Sequence, residues 1–191
     1  MDRLTALLEA GRDGDRDALE RFIADTQGDV WRLCHYLGDA RAADDLAQET
    51  YERAIGSLHR YRADGPAKAW LLTIARRVCA DHTRRAVRRR RLDAAVLNDT
   101  TAGVDPLVSP DASSRVALDD LLTGLDDDRR EAFVLTQVLG LQYDEAAEVL
   151  GVPIGTIRSR VSRARGDLLD ALDQREDHGA DASADVASGG R

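Results

Sequence analysis

The stretch YDEAAEVLGVPIGTIRSRVSRAR, residues 143–165, leaves little choice of fold. Small Ala146 and Ala147 precede a break at Gly151 to Pro153, and apolar Val152, Ile157 and Val161 follow it. A helix over 144–150 ends at Gly151, because glycine takes the left-handed backbone that closes a helix without a Cβ penalty. A second helix opens beyond Pro153, with Gly155 or Thr156 near its start. The small alanines let the two helices approach closely, and the pattern is that of a helix-turn-helix.

At roughly 100° per residue, Ile157, Val161, Ala164 and Leu168 share the buried side of that second helix. Ser159, Ser162 and Arg163 then point outward, flanked by Arg158, Arg160 and Arg165. This segment has four arginines and no acid, in a chain of 191 residues with a formal net charge of −8. A second such island lies at residues 61–92, with 10 bases against 2 acids. Residues 93–153 between them hold 3 bases and 13 acids. Two basic islands in separate parts of an acidic chain predict two contacts with one polyanion.

The rest of the chain reads as helix. Aromatic residues are only 4 % of the chain, and Ala, Leu and Arg are abundant, which favours helix over sheet. Within residues 3–37, Leu19, Phe22, Ile23, Val30, Leu33, Cys34 and Leu37 recur at three- and four-residue steps. A break follows at Gly38 to Ala40. Ala43, Leu46, Ala47, Thr50, Ala54 and Leu58 then form one stripe, with Asp44, Asp45, Gln48, Glu49 and Glu52 on the other face. Residues 59–66 read as a loop broken by Gly65 and Pro66. A long helix follows, with Trp70, Leu71, Ile74 and Val78 on its apolar side and its arginines outward.

The periodicity dissolves over 92–115, which carries Pro106 and Pro110 and reads as an acidic extended linker. Order resumes over 116–172, where Asp126, Asp127 or Asp128 caps a helix. The polar, acidic residues 173–191 read as a disordered tail. The expected architecture is all-α: two small helical domains, 1–91 and 116–172, joined by the linker.

Several classes are excluded by what the residues lack. Cys34 and Cys79 form no CxxC or Cys/His cluster and read as small buried hydrophobes. Asp44, Asp45 and Glu49 lie on a solvated helix face without the Glu-x-x-His pair of helical di-metal sites. No Gly-rich phosphate loop or nucleophile motif is present, so neither an enzyme nor a cofactor is expected. No apolar run spans a bilayer and the N-terminus lacks a secretory layout, so the chain is expected in the cytoplasm. Duplex DNA remains as the ligand of the helix-turn-helix: a few side chains reach base edges and flanking cations bind phosphate.

The helix-turn-helix alone fits several kinds of regulator, and residues upstream separate them. DDLAQETYERA, followed by AWLLTIARRVCADHTRRAVRRRR, resembles region 2 of the extracytoplasmic-function (ECF) sigma factors, and GTIRSRVSRAR resembles their region 4. The resemblance covers roughly residues 17–172. It implies core RNA polymerase and promoter DNA as partners, and it admits an anti-sigma factor. It places Asp44, Asp45, Gln48, Glu49 and Glu52 on the clamp coiled coil of the largest polymerase subunit. It makes Tyr61, Arg62, Ala63, Asp64 and Gly65 the loop that captures an unstacked −10 base. It turns Arg76, Arg77, Arg84, Arg85 and Arg88 toward −10 DNA, and Thr156, Arg158, Ser159, Arg160, Ser162 and Arg163 toward the −35 duplex. Many members carry Asn in an IARN-type stretch where this chain has Arg77, so a different −10 preference is expected. Trp70, just after the loop, reads as a core anchor. The competing reading is a ligand-responsive helix-turn-helix regulator that binds duplex DNA without polymerase.

Overall fold

The computed structural model describes the backbone of residues 2–96 and 113–188, and the side chains of 2–91 and 118–175. The described elements are helices, with no strand among them. Four of these, α1 (Arg3–Arg12), α2 (Arg16–Leu37), α3 (Ala43–Ser57) and α4 (Ala67–Val96), form the first module. The second module holds α5 (Ser113–Thr123), α6 (Asp127–Phe133), α7 (Tyr143–Leu150) and α8 (Ile154–Ser188).

The starts of these helices follow from short acidic side chains. Asp2 accepts the Thr5 amide at 2.9 Å and Asp15 accepts the Ala18 amide at 3.0 Å. Asp126 accepts the Asp128 amide at 3.1 Å, so it is the first of the three aspartates that caps α6. Each cap satisfies an amide that has no partner inside its own helix. Leu8, Phe22, Val30, Leu33, Leu71, Leu72 and Val78 fill the first core. Inside it, Thr5 Oγ1 accepts the Ala67 amide at 3.0 Å and ties α1 to the start of α4. Cys34 and Cys79 are buried as expected.

The core of the second module contains Leu122, Leu135, Leu141, Ile157 and Val161. Past Phe133, α6 continues as a π-helical turn, Val134–Val138, closed by the Leu139 amide on the Val134 carbonyl at 2.9 Å. Gly140 leaves it at φ 70°. The turn after α7 is built as the sequence predicts: Gly151 stands at φ 66°, and its amide bonds to the Glu148 carbonyl at 3.3 Å.

Two boundaries differ from the sequence reading. The acidic tail 173–191 is not disordered through its length, because α8 runs unbroken to Ser188. No proline interrupts the helix between Ile154 and Ser188. The linker 92–115 is also shorter than expected, since α4 continues to Val96 and α5 begins at Ser113. The linker residues between them, 97–112, lie outside the described residues.

The two modules pack against each other along α4. Arg76 of α4 donates from Nε and Nη2 to the two carboxylate oxygens of Glu131, both at 3.0 Å. Lys68 Nζ donates to the Leu139 carbonyl at 2.6 Å and pairs with Asp29 at 2.6 Å. His35 Nε2 lies 2.9 Å from Asp119 Oδ2. These contacts place α7 beside the loop that precedes α4.

Candidate nucleic-acid and polymerase interfaces

The second helix of the helix-turn-helix sits as its periodicity demands. Ile157, Val161 and Ala164 are buried, while Arg158, Ser159, Ser162 and Arg163 are exposed along the opposite edge. Thr156 is half-buried at the first turn, where its carbonyl accepts Ser159 Oγ at 3.0 Å. Arg160 departs from the expected arrangement. It is half-buried and paired with Asp128 at the start of α6, so it braces two helices of the module. Arg165 similarly bonds Gln137 Oε1 at 2.7 Å. The outward set able to reach a base edge is therefore Ser159, Ser162 and Arg163, with Arg158 beside it.

The loop before α4 divides in a way the sequence does not reveal. Tyr61 is buried, with its ring centroid 5.1 Å from that of Trp70 and its hydroxyl donating to the Gly65 carbonyl at 3.2 Å. Burial pushes the Tyr61 phenol above its ordinary range. Tyr61 thus forms the floor of the loop rather than an exposed base contact. Half-buried Trp70 packs on it, so the core-anchor reading of Trp70 holds in part. Arg62 and Asp64 are exposed, and Ala63 is held at φ 54°, the single positive φ outside glycine among the described residues. A non-glycine residue held there stores backbone strain, which is common where a loop must present its neighbours. Arg62, Asp64, Trp70 and Thr73 line a cavity of about 420 Å³, and Glu148 and Val149 of α7 close its far side.

Along α4, Arg77, Arg84, Arg85 and Arg88 are exposed. Arg76 is not in that row, because Glu131 holds it. Arg84 and Arg53 both bond Asp81, at 2.5 and 3.0 Å, and hold its carboxyl below the usual carboxylate range. Arg85 lies 3.6 Å from Glu49.

On α3, Asp44, Asp45, Gln48 and Glu52 are exposed. Glu49 turns away from them, toward Arg53 at 2.5 Å and Arg85. The sequence reading missed the groove beside this face. Ile23, Gly28, Trp31, Ala47 and Tyr51 line it, and Trp31 Nε1 donates to Asp44 Oδ1 at 3.0 Å. The available signal was Trp31 itself, an apolar residue off the buried stripe of α2. Among the described residues there is no His, Cys, Asp and Glu group able to hold a metal ion, and no helix long and apolar enough to cross a membrane.

Comparison with known proteins matches both modules separately. Residues 22–89 match the family model for sigma-70 region 2, and residues 115–168 match that for sigma-70 region 4. The chain is an ECF sigma factor. It is 47 % identical over 175 residues to the ECF RNA polymerase sigma factor SigC of Mycobacterium tuberculosis, covering 88 % of this chain and 90 % of that one. It is 34 % identical over 158 residues to the ECF sigma factor EcfG of Rhodopseudomonas palustris, covering 80 % and 84 %. Two solved structures share the fold at 28 % identity. CnrH in complex with the cytosolic domain of CnrY matches with a TM-score of 0.69 over 91 % of this chain and 99 % of that one. The sigma factor RpoE in complex with the anti-sigma factor NepR of Bartonella quintana matches with a TM-score of 0.67 over 81 % and 96 %. As an ECF sigma factor, the protein binds core RNA polymerase and directs promoter-specific initiation, with region 2 acting on the −10 element and region 4 on the −35 element. The ligand-responsive regulator reading falls with this match, since region 2 is a polymerase-binding module.

Proposed function

We propose that the sigma factor carries out these steps with four surfaces, assigned residue by residue. Asp44, Asp45, Gln48 and Glu52 meet a basic coiled coil of the polymerase, and the groove beside Trp31 takes its apolar edge. Arg62, Asp64 and the face of Trp70 hold an unstacked −10 base over the Tyr61 floor, where a planar side chain supplies stacking. Arg77, Arg84, Arg85 and Arg88 neutralise phosphates along the opened −10 strand. Arg158, Ser159, Ser162 and Arg163 enter the major groove at the −35 element, with Thr156 near the backbone. The factor works in the cytoplasm as a non-enzymatic partner of the polymerase, and an anti-sigma factor fits the faces that α4 and α7 present.

The observation that carries this reading is the outward edge of α8. Three buried positions, Ile157, Val161 and Ala164, fix its rotation and leave Ser159, Ser162 and Arg163 facing outward. The packed arrangement of the modules must loosen for both surfaces to be used. Glu148 of α7 borders the −10 cavity, and the carboxylate of Glu131 occupies Arg76.

Permanganate footprinting of holoenzyme on a promoter tests the −10 assignment. Asp64→Ala is expected to lower thymine reactivity in the −10 element while leaving polymerase binding intact. Unchanged reactivity with Asp64→Ala and with Arg62→Ala contradicts it.

A further inference from the structure

The loop assigned to the unstacked −10 base, residues 61–66, is held at both ends by α1. That helix, Arg3–Arg12, lies ahead of residues 22–89, the part of the chain that matches sigma-70 region 2. At the first end, Arg12 Nη1 donates to the Tyr61 carbonyl at 3.2 Å, across 49 residues of chain. This contact fixes the peptide plane that leads into Arg62. Arg12 is itself aimed, because its Nε donates to Asp13 Oδ1 at 3.0 Å where α1 closes.

At the other end, Ala67 opens α4, and its amide has no partner inside that helix. It donates instead to Thr5 Oγ1 at 3.0 Å. The Thr5 hydroxyl has a single proton, which goes to Asp2 Oδ2 at 2.5 Å, so a lone pair is left facing Ala67. Both Thr5 and Ala67 are buried, so no water replaces this contact if it is lost.

Between the two anchors the loop carries backbone strain, with Ala63 at φ 54°. Such a conformation persists only where the surroundings over-determine it. Within the loop there is one clasp, the Tyr61 hydroxyl on the Gly65 carbonyl at 3.2 Å. The α1 contacts supply the constraint at its ends. A recognition loop discriminates sharply only when its polar groups are held in place by a supporting shell.

We propose that α1 sets base selectivity at the −10 element, with Arg12 and Thr5 as positioning residues that hold the loop in shape while Arg62 and Asp64 meet the base. The inference rests on the assignment of that loop to the unstacked base. Loss of an anchor lets the loop adopt further conformations, so bases other than the preferred one are accommodated. Affinity for core polymerase is untouched, because it is carried by α3 and the groove beside Trp31.

Holoenzyme binding to single-stranded −10 oligonucleotides from a mapped promoter tests this, with each of the four bases in turn at the captured position. Arg12→Met keeps the aliphatic stem and removes the donors, at a side chain that is 30 % exposed, so the fold is kept. It is expected to lower the ratio of preferred to other-base affinity several-fold, at unchanged core affinity and melting temperature. Arg12→Lys restores an N–H donor and is expected to recover part of the ratio. Thr5→Ser is expected to keep the ratio and Thr5→Val to lower it. A ratio unchanged by Arg12→Met and Thr5→Val, while Asp64→Ala reduces it, overturns the role of α1 and leaves the loop assignment standing. A ratio unchanged by all three overturns the loop assignment, and the inference with it. Affinity lost equally for all four bases, together with a lower melting temperature, shows a merely structural helix and also overturns the inference.

Discussion

Arg76 and Glu131 join the two promoter-binding modules through a paired set of hydrogen bonds, each 3.0 Å long. The Arg76 and Glu131 side chains are 32 % and 21 % exposed, so solvent screens the pair and its contribution is about 1 kcal/mol. Glu131→Gln is expected to shift the balance between packed and separated modules about fivefold toward separation. Fluorescence energy transfer between labels on α3 and α8 of the full chain checks this. A distance distribution unchanged by the substitution contradicts it.

Gly151 carries a different kind of constraint. A Cβ there meets no atom within 4 Å, yet the backbone stands at φ 66°. Gly151→Ala therefore costs stability through backbone strain alone, about 1–2 kcal/mol. Thermal unfolding is expected to show region 4 melting several degrees lower while α1 to α4 are unchanged. A substitution without effect would show that the turn is not held in this conformation.

Arg163 tests the recognition edge without touching the core. Arg163→Ala is expected to weaken holoenzyme binding to the −35 duplex and, if the guanidinium meets phosphate, to lower the salt slope by about 0.9. Loss of sequence discrimination with the slope unchanged would instead assign Arg163 to a base edge. The melting temperature should not move, because the side chain is exposed.

Tyr51 gives a pH signature of the region 2 core. Burial pushes its phenol up to about 12, and its hydroxyl lies 2.8 Å from Thr26 Oγ1. An unfolded phenol ionises near 10. Between those values the folded chain holds more protons than the unfolded one, so stability falls as pH rises from about 10 to 12. The contribution is complete below about 10. Tyr51→Phe is expected to flatten that part of the stability profile, measured by denaturant unfolding from pH 9 to 12. An equally steep fall in the variant would locate the effect elsewhere.

How much of this was legible in the sequence depended on whether local periodicity or a distant partner decides the position. Ile157, Val161 and Ala164 recur with the helix, and their burial follows from spacing alone. Gly151 was legible because a single backbone conformation ends the helix. Arg76 and Arg160 were not, because their partners Glu131 and Asp128 lie 55 and 32 residues away. Arginine on a helix face reads the same whether it awaits a phosphate or already holds a carboxylate. Tyr61 misled for a related reason: a loop tyrosine suggests a base contact, and only its packing under Trp70 shows it to be the floor. The helical tail to Ser188 was hidden by composition, since Asp, Ala and Gly run through it without an apolar stripe.

The central claim is that this chain gives core RNA polymerase its promoter specificity. Run-off transcription with core polymerase on fragmented DNA of its own genome, with and without the protein, tests it most directly. Discrete transcripts that require the protein are predicted, and their aligned start sites would reveal both promoter elements and the base that Arg77 prefers. No protein-dependent transcript, together with tight duplex binding in the absence of polymerase, would contradict the account.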